Sequence, residues 1–156
     1  MAHGALVDEL SRGLAQVAPQ VSASVVSYRP PVDAPVIDRF RPPSTPYGPG
    51  NRGWEYLTDP GTAVRAAADG VVTFAGPVGP SSAVTVTHAD GLRTSYSYLA
   101  SVAVREGAEV AQGQLIGRSG PRLHFGVRRG DSYLDPATLF TAPTTIRVRL
   151  APLRVG

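Results

Sequence analysis

His3, His88 and His124 are the only imidazoles in this 156-residue chain, and neither cysteine nor lysine occurs. These absences bound the chemistry before any motif is considered. Without thiols there is no disulfide frame and no thiolate metal site. Without a lysine amine, every reaction or cofactor attachment that needs one is excluded. His3 lies at the free terminus, His88 opens the turn His88-Ala89-Asp90-Gly91, and His124 falls inside the run LHFGVR. All the basic residues are arginine, which codon bias in a GC-rich genome explains. The net charge of +3 suggests mild attraction to anionic polymers and not a nucleic-acid binder.

The elements that must position these groups are short. Hydrophobic residues make up 42% and charged residues 17%, normal for one globular domain. The 17 glycines and 15 prolines punctuate runs rich in valine and threonine, the texture of an all-β domain with many turns. No apolar stretch is long enough to cross a bilayer. MAHGALVDEL lacks a basic segment followed by an apolar core, so it is not a signal peptide: either an export signal has been removed or the protein stays inside.

Leu6, Leu10, Leu14 and Val17 fall on one face, which predicts an amphipathic helix within residues 1–18. Residues 19–46 are too rich in proline for regular helix or central strand and read as an extended arm. Residues 47–140 form the β domain. Within it, 62–75 reads as two strands joined by a hairpin turn at Asp69-Gly70. AVTVTH (83–88) alternates, as does LRTSYSYL (92–99) after the turn at His88. Further short strands separated by glycines follow in 102–120, and LHFGVR (123–128) is another, turning at Arg129-Gly130-Asp131. Asp135-Pro136 is a helix start, so DPATLF holds one helical turn. In 141–156, TIRVRL reads as an extra one-sided strand whose arginines protect an exposed edge.

Four segments in this order carry a family resemblance: YGPGNRGWEYLTDPGTAVRAAADGVVTFAG (47–76), VTVTHADGLRTSYSYL (84–99), VREGAEVAQGQLIGRSG (104–120) and LHFGVRRGDSYLDPATLF (123–140). Together, over roughly residues 36–140, they resemble the LytM or lysostaphin-type zinc metallopeptidase domain, in its actinobacterial style. The resemblance implies a small antiparallel β fold of the duplicated hybrid motif type and an activity on peptide cross-links of bacterial cell walls. VREGAEVAQGQLIG also looks like half of a biotinyl or lipoyl carrier, a rival excluded because such carriers attach their cofactor to lysine.

In this family, the resemblance implies, zinc is held by a His-x-x-x-Asp pair and the second histidine of His-x-His. The first histidine of His-x-His and one in Tyr-x-His-Leu assist. Such a metal needs three protein ligands and an open position, and it lowers the pKa of bound water to about 7. Here Asn51 stands where the first ligand is expected and Glu55 where the aspartate is expected. Tyr98 replaces one auxiliary histidine, Arg122 the other, and His124 alone remains. An amide is a poor zinc donor beside imidazole, and a guanidinium neither acts as a base nor tolerates a nearby dication. The resemblance thus implies a degenerate form, with no cofactor expected. Arg122 is then expected to take the metal's place beside Glu55; the alternative has both pointing into solvent.

Trp54 alternates with Glu55, so burial is expected for Trp54 if Glu55 faces the groove; a sugar or partner platform is the other reading. Tyr56 is a further aromatic residue of this segment. Tyr96 and Tyr98 join Asn51, Trp54, Glu55, Arg122 and His124 as groove candidates. Arg128 and Arg129 read as a solvated pair, or as contacts to an anionic wall polymer. Two functions follow. One is a non-catalytic module, secreted or in the cell envelope, that binds peptidoglycan or regulates a hydrolase such as an amidase. The other is a working zinc endopeptidase with an unorthodox site.

Overall fold

The computed structural model describes residues 25–140. Strands run at Val36–Asp38 (β1), Gly53–Leu57 (β2), Ala63–Arg65 (β3), Gly70–Val78 (β4) and Ser81–Thr87 (β5). They continue at Leu92–Val102 (β6), Glu109–Val110 (β7), Leu115–Arg129 (β8) and Ser132–Leu134 (β9), and Ala137–Phe140 forms a single helical turn (α1). All pairings among the described residues are antiparallel. The sheet runs β1-β2-β8-β6-β5-β4-β7, with β3 and β9 also joined to β8. This is the all-β architecture that the texture of the sequence implies, antiparallel as the family resemblance implies. The expected helix at its N-terminus and the strand in TIRVRL lie outside the described residues.

Period-two alternation builds the core. Tyr56 on β2, Val84 and Val86 on β5, Tyr96 on β6, and Leu123, Phe125 and Val127 on β8 are buried in one cluster. Each such side chain removed from water contributes roughly 1.5–3 kcal/mol. Ahead of the sheet, Val32 joins this cluster, while the Pro31 carbonyl accepts Arg65 N–H and the Pro35 carbonyl accepts Leu57 N–H, both at 2.9 Å. β1 follows as an edge strand, the place a proline-rich approach allows. At the other end Asp135 Oδ1 accepts the Ala137 N–H at 3.0 Å, and α1 sets Phe140 against Phe125 with ring centroids 5.8 Å apart.

Two local expectations fail for non-local reasons. Asp69-Gly70 does not close a hairpin, because β3 pairs with β8 while β4 pairs with β5 and β7. Between them Ala66, Ala67 and Ala68 are buried, small enough to carry the chain through the core from one ladder to the other. The Asp69 carboxylate accepts the Gln112 N–H at 2.7 Å instead of closing a turn. Likewise the glycines of 117–126 do not end strands: Leu115–Arg129 is one long strand that changes partners along its length.

Candidate functional site

Alternation that sends Tyr56, Leu123 and Phe125 to the core sends Glu55, Arg122 and His124 to the opposite face. Glu55 lies directly across from His124 on the β2–β8 ladder, and Leu57 across from Arg122. Such close pairing needs Gly53: a Cβ there would stand 2.2 Å from the Phe125 carbonyl oxygen and 2.9 Å from His124 Nε2. On the far side of β8, Ser97 opposes His124, and Tyr98 follows at a register shift with φ of 63°. Its ring meets the His124 ring edge-on, centroids 6.1 Å apart.

The structure brings Asn51, Glu55, Tyr98, Arg122 and His124 to one locality. Arg122 Nη1 donates to Glu55 Oε2 at 3.3 Å, while His124 Nδ1 lies 4.0 Å from Glu55 Oε1. Asn51 is buried, bridged to Arg41 by a pair of 2.9 Å backbone hydrogen bonds. Its Oδ1 accepts the Gly53 N–H at 3.1 Å, which assigns the amide orientation and leaves Nδ2 buried without a partner among the described residues. No three His, Asp or Glu side chains converge on a common point among the described residues.

Charge reaches this locality from β1 as well. Arg41 donates to both oxygens of Asp38, and this pairing, ahead of opposing burial, holds the Asp38 carboxyl below its usual range. The Asn51 amide, aimed at this carboxylate as a donor, adds to the lowering, although its Nδ2 closes no hydrogen bond of full geometry among the described residues. Burial pushes the His124 imidazole below its ordinary value, against the carboxylates of Glu55 and Asp38, which favour the cation. Neither Asp38 nor Arg41 is foreseeable from the motifs, since both lie in the proline-rich approach: Asp38 arrives through the β1–β2 pairing and Arg41 through its bridge to Asn51.

The remaining candidates divide. Tyr96 is not a groove residue: it is fully buried, and its hydroxyl accepts the Ala67 N–H at 2.9 Å. Trp54 packs against the core beside Tyr56 and Phe140, with the Arg39 guanidinium 5.0 Å above its ring. Arg128 covers Tyr133 at 5.7 Å, and Arg129 reaches the Asp90 carbonyl at 3.5 Å. Next to the Arg122 cluster opens a groove of about 660 Å³, between the β4–β5 tip, Tyr98 on β6 and Gly120–Arg122 on β8. No sequence motif marks the tip, Pro77–Ser82, as part of it.

Residues 49–136 match the family described as Peptidase family M23. The DD-carboxypeptidase/endopeptidase Mpg of Neisseria meningitidis is 37% identical over 95 residues, covering 56% of this chain and 22% of its own length. The murein hydrolase activator NlpD of Salmonella dublin is 32% identical over 123 residues, covering 74% of this chain and 32% of its own. The chain thus spans a third or less of these relatives. The solved catalytic domain of the antimicrobial peptidase lysostaphin from Staphylococcus simulans has the same fold, with a TM-score of 0.62 at 24% identity over 70% of this chain and 93% of that one.

Proposed function

This chain belongs to peptidase family M23, and from that premise we propose that it is a non-cleaving module of the bacterial cell envelope that binds peptidoglycan or regulates a cell-wall hydrolase. The observation that carries this reading is the ion pair between Arg122 and Glu55 at 3.3 Å. A metal beside Glu55 would face a permanent cation and compete with it for the carboxylate. The atom of Asn51 best suited to a metal, Oδ1, is already engaged by the Gly53 N–H. His124 keeps its imidazole but stands alone. This donor set does not fit a catalytic zinc, whereas the cleft around it remains and can still bind.

NlpD, named as a murein hydrolase activator, supports the regulatory half of the proposal. Mpg, named as a carboxypeptidase and endopeptidase, favours the second reading, an active zinc enzyme with an unorthodox site. An envelope location belongs to the same proposal. Among the described residues no helix is long and apolar enough to cross a membrane.

Metal analysis of the purified chain at neutral pH separates the two readings. The proposal expects far less than one zinc per chain and no cleavage of cross-linked wall peptides. Stoichiometric zinc with cleavage abolished by a chelator overturns it. Combining Asn51→His, Glu55→Asp, Tyr98→His and Arg122→His is expected to bring metal binding back. Failure of that variant to bind zinc indicates that the surroundings of the site have changed as well.

A further inference from the structure

The groove beside Arg122 has a shape with a definite cause. On β6, Ser97 pairs with His124 and Leu99 with Ser119, so Tyr98 alone faces Gly120, Pro121, Arg122 and Leu123. β8 swings toward β2 over this stretch: Thr58 Oγ1 donates to the Gly120 carbonyl at 2.8 Å and Thr58 N–H to the Pro121 carbonyl at 3.2 Å. The sheet therefore parts, and the tip of the β4–β5 hairpin closes the far side. Tyr98 turns into the gap in the left-handed backbone region, a conformation a tyrosine keeps only where its surroundings enforce it.

The walls are mixed: Pro77, Pro80, Pro121 and Leu99 supply apolar surface between hydroxyl and backbone polar groups. Among the described residues, Arg122 is the only charged one that lines the groove. Its sole side-chain hydrogen bond among the described residues uses Nη1, toward Glu55, and its side chain is 60% exposed. A guanidinium has five donors, so a second, parallel pair remains for a planar acceptor. The hydroxyls of Tyr98, Ser81 and Ser82 likewise make no hydrogen bond to described residues. A trough that alternates apolar surface with hydroxyls and carries one half-used guanidinium matches an extended peptide that terminates in a single planar anion. A doubly charged phosphate fits worse, because the guanidinium is already paired with the Glu55 carboxylate.

We infer that this groove binds the free C-terminal carboxylate of a peptide, with Arg122 as the bidentate anchor and Tyr98 as the wall against the last residue. The inference rests on the reading of the site as a metal-free binding cleft and names its ligand class: open peptide ends, in preference to ends capped by a further bond. Glu55 then acts as a positioning residue that holds Arg122 in place.

The test is a titration of the full chain, followed by amide chemical shifts, with N-acetyl-Ala-Ala-Ala as free acid and as C-terminal amide. A chelator is present throughout, so a bound metal cannot create the preference. The acid is expected to shift Tyr98, Ala100, Gly120 and Arg122 saturably and to bind at least about tenfold tighter than the amide. Arg122→Gln is expected to erase that preference, and Arg122→Lys to restore it only in part, since lysine keeps the charge without the fork. Equal binding of acid and amide, shifts confined to another face, or no shift at millimolar peptide each overturn the inference. Zinc content and cleavage are measured separately, so loss of the metal-free reading and loss of the carboxylate preference are distinguishable results.

Discussion

Asn51 stands at a ligand position of the family's motif and Arg122 at an assisting one, and the two differ in what they contribute to stability. The Arg122–Glu55 pair is exposed on the arginine side, at 60%, and such pairs are worth about 0–1 kcal/mol. Arg122→Ala is therefore expected to change unfolding free energy by no more than about 1 kcal/mol. Asn51→Ala removes the Oδ1 that accepts the buried Gly53 N–H, and losing the acceptor of such a donor costs about 1–3 kcal/mol. Urea unfolding of the two variants checks the order. An arginine variant that loses more stability than the asparagine variant would mean that the ion pair, and not the Asx turn, holds the start of β2. Geometry here separates an exposed side chain from one that holds the backbone, although both replace histidines of the family's motif.

At the scale of elements the site depends on how near β2 and β8 run. Gly53→Ala puts a methyl against a backbone oxygen, which cannot yield without breaking the Gly53–Gly126 and Trp54–Phe125 pairings. The variant is expected to lose several degrees of melting temperature or more, on the order of 2 kcal/mol or above, and to broaden the amide signals of Glu55 and His124. A melting temperature equal to the parent's would show that the two strands have slack. Alternation within AVTVTH and LRTSYSYL was legible in the sequence, and side-chain period decides burial over 84–88 and 92–96, up to the register shifts that flank them. The nearness of Glu55, Arg122 and His124 followed from the family resemblance, whereas alternation assigned only Glu55 and Trp54 to opposite faces. What was not legible came from pairings distant along the chain. β1 delivers Asp38 and the bridge to Asn51 delivers Arg41, the alanines at 66–68 divert a chain that reads locally as a hairpin, and a register shift between β6 and β8 shapes the groove at Tyr98. Tyr96 shows the same limit: it shares a segment with Tyr98, but one residue of register and the bulge put the former in the core and the latter in the cleft.

Over the whole molecule, proton binding should confine stability to a window of pH, and a buried chain of hydrogen bonds explains its acid edge. His88 is buried, with Nδ1 2.8 Å from the Asp69 carbonyl and Nε2 2.7 Å from Thr94 Oγ1, which in turn lies 2.8 Å from the Tyr96 hydroxyl. A carbonyl only accepts, so Nδ1 carries the proton, Thr94 donates to Nε2, and Tyr96, accepting from Ala67, donates to Thr94. Protonating Nε2 would force the chain to reverse and leave the Tyr96 proton with no acceptor. Burial lowers the pKa of His88, as it does that of His124. In both cases the unfolded chain takes up protons first, near its ordinary pKa of about 6.5, so stability is present above that pH and falls as pH drops through it. Burial raises the phenols of Tyr28, Tyr56 and Tyr96, the last to about 12. Their unfolded forms ionise near pH 10, so stability declines again above that value. The urea midpoint should be flat from about pH 7 to 9 and fall on both sides. In His88→Gln the acid limb should become shallower, while the midpoint at pH 8 is already lower because the hydrogen-bond chain is broken. A midpoint that stays level from pH 8 to 5 in the parent chain would mean that neither histidine is held neutral by the fold.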